Sequence, residues 1–198
     1  MKSYNRYWNK KVSKIKSELQ TVNKTYTSKR HRKLNLKRAN KMDWYLHNAS
    51  RYIVNHLVSN KINTLIVGHN NGWKQETSIG NKNNQNFVCI PHSRFFSMLK
   101  YKCKLEGIRY IEQEESYTSK VSFLDNDYIP TYGIDDNKFN PSGRRVKRGL
   151  YVSKNGNKLN ADVNGAFNIM KKALKVSSSF LIGEGSRGLV VSPKIVNF

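Results

Sequence analysis

Over the first sixty residues the apolar positions recur with a helical period. Tyr4, Trp8, Val12, Ile15 and Leu19 follow one another at steps of four, four, three and four, a narrow apolar stripe on an otherwise polar cylinder. Ser28 opens a second such pattern, in which Met42, Leu46, Ala49, Ile53 and Leu57 fall on one face. Together they predict an αα-hairpin whose stripes are core packing. The period then changes. Thr64-Leu65-Ile66-Val67-Gly68 is a short continuous apolar run ended by glycine, the pattern of a buried parallel strand. Pro91 suits the first turn of a helix running to about Glu106, Gly107 stops it, and Ile108-Arg109-Tyr110-Ile111 reads as the next strand. A strand–helix–strand unit crosses over right-handed, so the two strands are expected to be parallel and adjacent.

Between these elements, His69 to Gln85 is polar and rich in Asn and Gly, a functional or disordered connection. Residues 120–160 read as loop. Asn160 or Asp162 caps a further helix carrying Ala166, Ile169, Met170 and Ala173. The tail after Lys175 reads as irregular, ending in a strand at Leu189-Val190-Val191. The expected fold class is α/β. A basic helical hairpin (1–60) precedes a core of parallel strands with a crossover helix (61–175) and a tail (176–198).

Charge narrows the function. The 198 residues carry 36 Lys+Arg against 13 Asp+Glu, a formal net charge of +23. Such a surplus repels itself in the folded state and is what a polyanion-binding surface requires. DNA or RNA is therefore the expected partner, with a simple basic protein as the bland alternative. Residues 1–42 hold 14 Lys/Arg and a single acidic residue, Glu18. Arg30, Arg32, Lys33, Lys37, Arg38 and Lys41 are the candidate contacts there, joined by Lys74 and by the cluster Arg144, Arg145, Lys147 and Arg148. No apolar run approaches the ~20 residues of a membrane span, and the N-terminus lacks the apolar core of a secretion signal. Cys89 and Cys103 are expected to be reduced thiols. A cytoplasmic, nucleoid-associated protein without a membrane partner is the expectation.

Cleaving a phosphodiester with two metal ions needs several converging carboxylates, and few are available. Glu112-Gln113-Glu114-Glu115 crowds like charges where the second strand ends. Asn160-Ala161-Asp162-Val163-Asn164-Gly165-Ala166 sets an Asp among small residues at a helix start. Each has a plainer explanation, a solvated strand end for the first and helix capping for the second.

At these residues the sequence resembles the C-terminal part of the TnpB/OrfB proteins, transposon-encoded RNA-guided nucleases related to type V CRISPR effectors. The resemblance runs from about Lys2 to about Lys175. It rests on Trp73-Lys74-Gln75, on Asn84-Gln85-Asn86-Phe87 leading into Ile90-Pro91, on Glu115-Ser116-Tyr117-Thr118-Ser119-Lys120, and on Ala161-Asp162-Val163-Asn164-Gly165-Ala166-Phe167-Asn168-Ile169. It implies a RuvC-like, RNase H-type core, a guide RNA and a DNA target, and Mg²⁺ as cofactor if the site is competent.

Three departures qualify it. The family's first catalytic Asp lies in a Gly-x-Asp-x-Gly strand upstream of the hairpin, whereas the only Asp before residue 125 here is Asp43, within a helical pattern. Gly68 stands where the usual catalytic Glu ends the first strand. The zinc-ribbon Cys-x-x-Cys expected after Thr-Ser-Lys is replaced by Val121-Ser122-Phe123-Leu124, so no zinc is expected. Adjacent parallel strands lie about 4.8 Å apart and end at one edge, so a carboxylate of the neighbouring strand can reach the volume left at Gly68. Glu115 is preferred and Glu114 is the alternative, since alternation turns only one of them inward; Asp125 and Asp127 are lesser candidates. The resulting expectation is Glu115 and Asp162 as catalytic and metal-binding residues of an incomplete nuclease core. It would be inactive alone and completed by an N-terminal partner polypeptide. The alternatives are a catalytically dead binding module, or a pseudogene product with no stable fold.

Overall fold

The computed structural model describes residues 2–70, 90–181 and 196. The described residues divide into two compact units, one holding residues 2–63 and 90–108 and the other residues 64–70, 109–181 and 196.

In the first unit α1 (Lys2–Asn23) and α2 (Lys29–Ser59) form the expected hairpin. The Ser28 hydroxyl accepts the His31 amide at 3.1 Å, satisfying a donor that a helix start leaves without a partner. Val12 and Ile15 of the α1 stripe are buried. On α2 the buried row is Met42, Leu46, Ser50, Val54 and Leu57, so Ser50 and Val54 lie deeper than the expected Ala49 and Ile53. The reason is α3 (His92–Leu105), which packs on α2 and carries a buried lysine. Lys102 Nζ donates to Ser50 Oγ at 2.6 Å and to the His47 carbonyl at 2.9 Å. Burial, helped by the charge of Arg51, lowers its pKa, while its methylene stem fills the helix interface. Gly107 ends α3 at φ +68, a conformation that costs a glycine little.

In the second unit β1 (Thr64–Gly68) and β2 (Arg109–Gln113) pair in parallel, with Thr64 opposite Arg109 and Gly68 opposite Gln113. The pairing is the predicted one, but the strand is not fully buried. Every residue of β1 is half-buried, because among the described residues its sheet has two strands, against which α4 (Ala161–Leu174) packs.

The loop expected over residues 120–160 is in part a sheet. β3 (Arg144–Lys147), β4 (Leu150–Val152) and β5 (Lys158–Asn160) form an antiparallel sheet with β4 in the centre. Strands of three or four residues are too short to display the alternation that marks a half-buried strand. Tyr151 and Leu159 are buried and pack with Ala161, Val163 and Phe167. The Tyr151 hydroxyl donates to the Lys120 carbonyl at 2.9 Å; burial first, then Asp127 and Asp125, push its pKa up to about 12. Two carboxylates tie the remaining loops together. Asp127 accepts the amides of Ser122 at 2.7 Å and Ser142 at 3.0 Å. Asp125 accepts the Ser142 hydroxyl at 3.0 Å and the Lys154 amide at 2.8 Å. Burial alone would raise the Asp125 pKa, but hydrogen bonds involving Ser122, Lys154 and Ser142 hold it below the usual value.

A single turn, α5 (Ser178–Leu181), follows α4. The strand expected at Leu189-Val190-Val191 lies outside the described residues. No described helix is long and apolar enough to cross a membrane.

Candidate functional site

The ends of β1 and β2 carry the acidic part of the site. The His69 amide donates to the Gln113 carbonyl at 2.8 Å, continuing the ladder one step beyond Gly68. The chain then leaves the sheet, and the Glu115 amide is received by Asn70 Oδ1 at 3.0 Å. These bonds turn successive glutamates to different tasks. Glu114 pairs with Lys172 and accepts the Ser116 amide at 2.6 Å. Burial would raise its pKa, yet the bonds from Lys172 and Ser116 hold it below the usual range. Glu115 instead lies over Gly68. A Cβ built on Gly68 would meet Glu115 Oε2, would stand 3.2 Å from Glu115 Cβ, and would be 2.6 Å from Ile169 Cδ1 of α4. The Glu115 carboxyl thus occupies the space that a side chain at position 68 would need. Burial raises its pKa, His69 opposes the shift and Glu114 adds to it. A half-buried carboxylate of this kind is one that a divalent cation would stabilise.

Asp162 lies in the first turn of α4. The cap is Asn160, whose Oδ1 receives the amides of Asp162 at 2.9 Å and Val163 at 3.2 Å, so Asp162 is relieved of capping. Its side chain is 85% exposed and its Oδ1 is 3.9 Å from Arg145 Nη2. The opposite face of α4 grips the loop after Glu115. Asn164 Oδ1 receives the Phe123 amide at 3.0 Å, and its Nδ2 donates to the Val121 carbonyl at 2.8 Å. Asn168 Nδ2 donates to Thr118 and Val121 carbonyls at 2.9 Å. Phe167 stacks on Phe123 at 4.6 Å between ring centroids. Both asparagines are fully buried. Their task was missed in the sequence, although Asn at i and i+4 on one face was a legible signal.

Glu115 and Asp162 offer hard oxygen donors of the kind Mg²⁺ accepts. Among the described residues no group of three or more His, Cys, Asp or Glu could hold a metal ion. The donor set therefore fits in part. Asp125 and Asp127, the lesser candidates, are occupied with backbone amides.

Of the basic candidates, Arg144, Arg145 and Lys147 lie on β3, exposed throughout its length, and Arg148 is exposed in the turn that follows. Arg144 and Lys154 line one shallow cleft. On α2, Arg30, Arg32, Lys33 and Lys37 are exposed. Arg38 is half-buried and serves the hairpin: its Nε donates to Asn5 Oδ1 at 2.9 Å and its guanidinium lies 4.6 Å from the Trp8 ring centroid. Lys41 lies over Trp44 and Tyr45, at 4.1 and 5.0 Å from their centroids. Lys74, with the Trp73-Lys74-Gln75 and Asn84-Gln85-Asn86-Phe87 segments, lies outside the described residues.

Comparison with known proteins adds the following. Residues 92–169 match the family model described as Cas12f1-like, TNB domain. The chain is similar in structure to a protein solved in "Cryo-EM structure of the Cas12f1-sgRNA-target DNA complex", with a TM-score of 0.53 and 21% sequence identity. The match covers 86% of this chain and 42% of that one, so the chain spans well under half of the solved protein's length. No curated protein matches the chain.

Proposed function

We propose, on the premise that this chain is a TnpB/Cas12f-like protein of RuvC-like fold, that it binds guide RNA and target DNA and supplies Glu115 and Asp162 to a Mg²⁺-dependent phosphodiesterase centre. The observation that carries the reading is the Glu115 carboxyl lying over Gly68, at the common end of two parallel strands. Mg²⁺, when bound, would activate water and stabilise the leaving oxygen. Glu115 and Asp162 would hold it, and the basic surfaces of α2 and β3 would hold the polyanion. Two carboxylates are fewer than a two-metal site uses. A further donor from outside these 198 residues, an N-terminal partner polypeptide bearing the family's first Asp, would complete the centre. The transposon-associated role of the TnpB group belongs to the same proposal. The high exposure of Asp162 favours a second reading, a binding module that retains recognition without cleavage.

The test is cleavage of labelled DNA in Mg²⁺, with guide RNA, by the 198-residue protein alone and with the preceding segment of a relative added in trans. The expected result is binding without cutting alone. With the added segment, cutting should appear and be abolished by Asp162→Ala or Glu115→Ala. Cutting by the chain alone, lost with Asp162→Ala, would refute the incomplete-centre reading. Restored cutting indifferent to Glu115→Ala would remove Glu115 from the site, and binding with no cutting under any condition would establish the second reading.

A further inference from the structure

The exposed face of α2 has an order that its charge alone does not require. Each residue of a helix turns by about 100°. Arg30, Lys33, Lys37, Lys41 and Trp44 therefore fall within about 80° of one another. That face is opposite the buried row of Met42, Leu46, Ser50, Val54 and Leu57. The line is about 21 Å long, at about 1.5 Å of rise per residue, with neighbours about 5–6 Å apart. Arg30, Lys33 and Lys37 are exposed. Arg30 makes one loose ion pair, 3.6 Å from Glu18 with both side chains in solvent, and such a contact is readily exchanged.

The line ends in an aromatic ring. Trp44 is 48% exposed, although an indole this size normally buries its surface. The Lys41 ammonium sits 4.1 Å from its centroid, and Tyr45 meets it edge-on at 5.1 Å and 72°. Its backbone carbonyl receives Asn48 Nδ2 at 2.9 Å. Lys41 on one face and Tyr45 at the edge thus position the ring while about half of the residue stays in water.

We propose that Trp44 is a stacking platform for an unpaired nucleobase, placed at the end of a rail, Arg30, Lys33, Lys37 and Lys41, that follows the phosphates of the same single strand. This rests on the nucleic-acid-binding part of the proposed function and adds to it a residue, a direction and a strand type. A line of cations matches a linear polyanion by charge and asks nothing of its sequence. An aromatic face in that line asks for a base that is not already stacked, which a single strand offers and the interior of a duplex does not.

The experiment measures binding of the full chain to a labelled oligothymidine, an abasic strand of the same length and a blunt duplex, across a salt series. Circular dichroism of each variant checks the fold. Trp44→Ala should weaken oligothymidine binding by roughly 5- to 150-fold, leave the abasic strand unaffected and leave the salt slope unchanged; Trp44→Phe should retain most of the affinity. Replacing Arg30, Lys33 and Lys37 by Ala should lower the slope by about 2, at ~0.7 per phosphate of a single strand, on both strands alike. Equal loss on the base-bearing and abasic strands, no loss with Trp44→Ala, or an equal loss on the duplex would each overturn the platform. Failure of the unaltered chain to bind either strand with a salt-dependent affinity would overturn the nucleic-acid reading itself.

Discussion

Replacing Gly68 with alanine tests the placement of Glu115 through the mass of one methyl group. The φ of Gly68 lies outside the left-handed region, so the backbone admits alanine and gains about 0.4–1 kcal/mol from a stiffer unfolded chain. Against this, the new Cβ would meet Glu115 Oε2, with Ile169 Cδ1 at 2.6 Å and Glu115 Cβ at 3.2 Å. The two outer atoms end flexible side chains and can rotate away. Glu115 Cβ is close to its backbone and cannot. Overpacking of this kind costs about 1–3 kcal/mol, so a net loss of about 1–2 kcal/mol is expected. The assay is hydrogen exchange at the His69 amide, which closes the β1–β2 ladder on Gln113 at 2.8 Å. Local opening should quicken by about 5- to 30-fold. A Glu115→Ala background keeps the Cβ contact at 3.2 Å and the Ile169 contact and removes only the carboxyl, so part of the penalty should vanish, a coupling of about 1 kcal/mol between the two positions. A Gly68→Ala cost that is the same with and without Glu115 would show that its carboxyl does not lie over Gly68.

Two further outcomes follow from the carboxylates. Because burial raises the Glu115 pKa, the unfolded chain releases that proton first, and stability declines as pH rises through the unfolded value near 4.3 toward the higher folded one. Glu115→Gln should therefore stabilise the protein at neutral pH and lose the advantage below about pH 4, as read by denaturant midpoints. The Asp125 pKa is lowered, so its contribution is present above about 3.9 and lost as pH falls through the folded value. Asp125→Asn should loosen the β3–β5 region at neutral pH, by proteolysis or exchange, and flatten its acid response. With Val121-Ser122-Phe123-Leu124 in place of a Cys-x-x-Cys, purified protein should contain no stoichiometric zinc by elemental analysis, and one zinc per chain would overturn that expectation.

Much of the frame was legible because long periodic segments carry their own signal. The α1 stripe, the Ser28 cap, the stop at Gly107 and the parallel β1–β2 pair all follow from local residues. What escaped reading depended on distant ones. Ser50 is buried because Lys102, fifty-two residues later, needs an acceptor, and nothing near Ser50 announces this. The strands β3 to β5 are too short for any period to emerge. At the site, the family resemblance pointed to the space at Gly68, and strand geometry pointed to a neighbouring carboxyl that could fill it. The preference for Glu115 over Glu114 was legible; the partners that divide their work, Lys172 and Asn70, were not, since they lie across the fold. The role of Arg38 as a hairpin brace rather than a free cation was hidden for the same reason: its partners lie on α1.

The buried Asn164 and Asn168 also set a timetable. Their bonds to Thr118, Val121 and Phe123 span 41 to 50 residues. A ribosome adding about 5–20 residues per second leaves that loop waiting roughly 2–10 seconds for its anchors, with its polar groups turned to water. Until then the segment after Glu115 has no template. When α4 emerges, the stretch leading from Glu115 and the helix bearing Asp162 are fastened in one event.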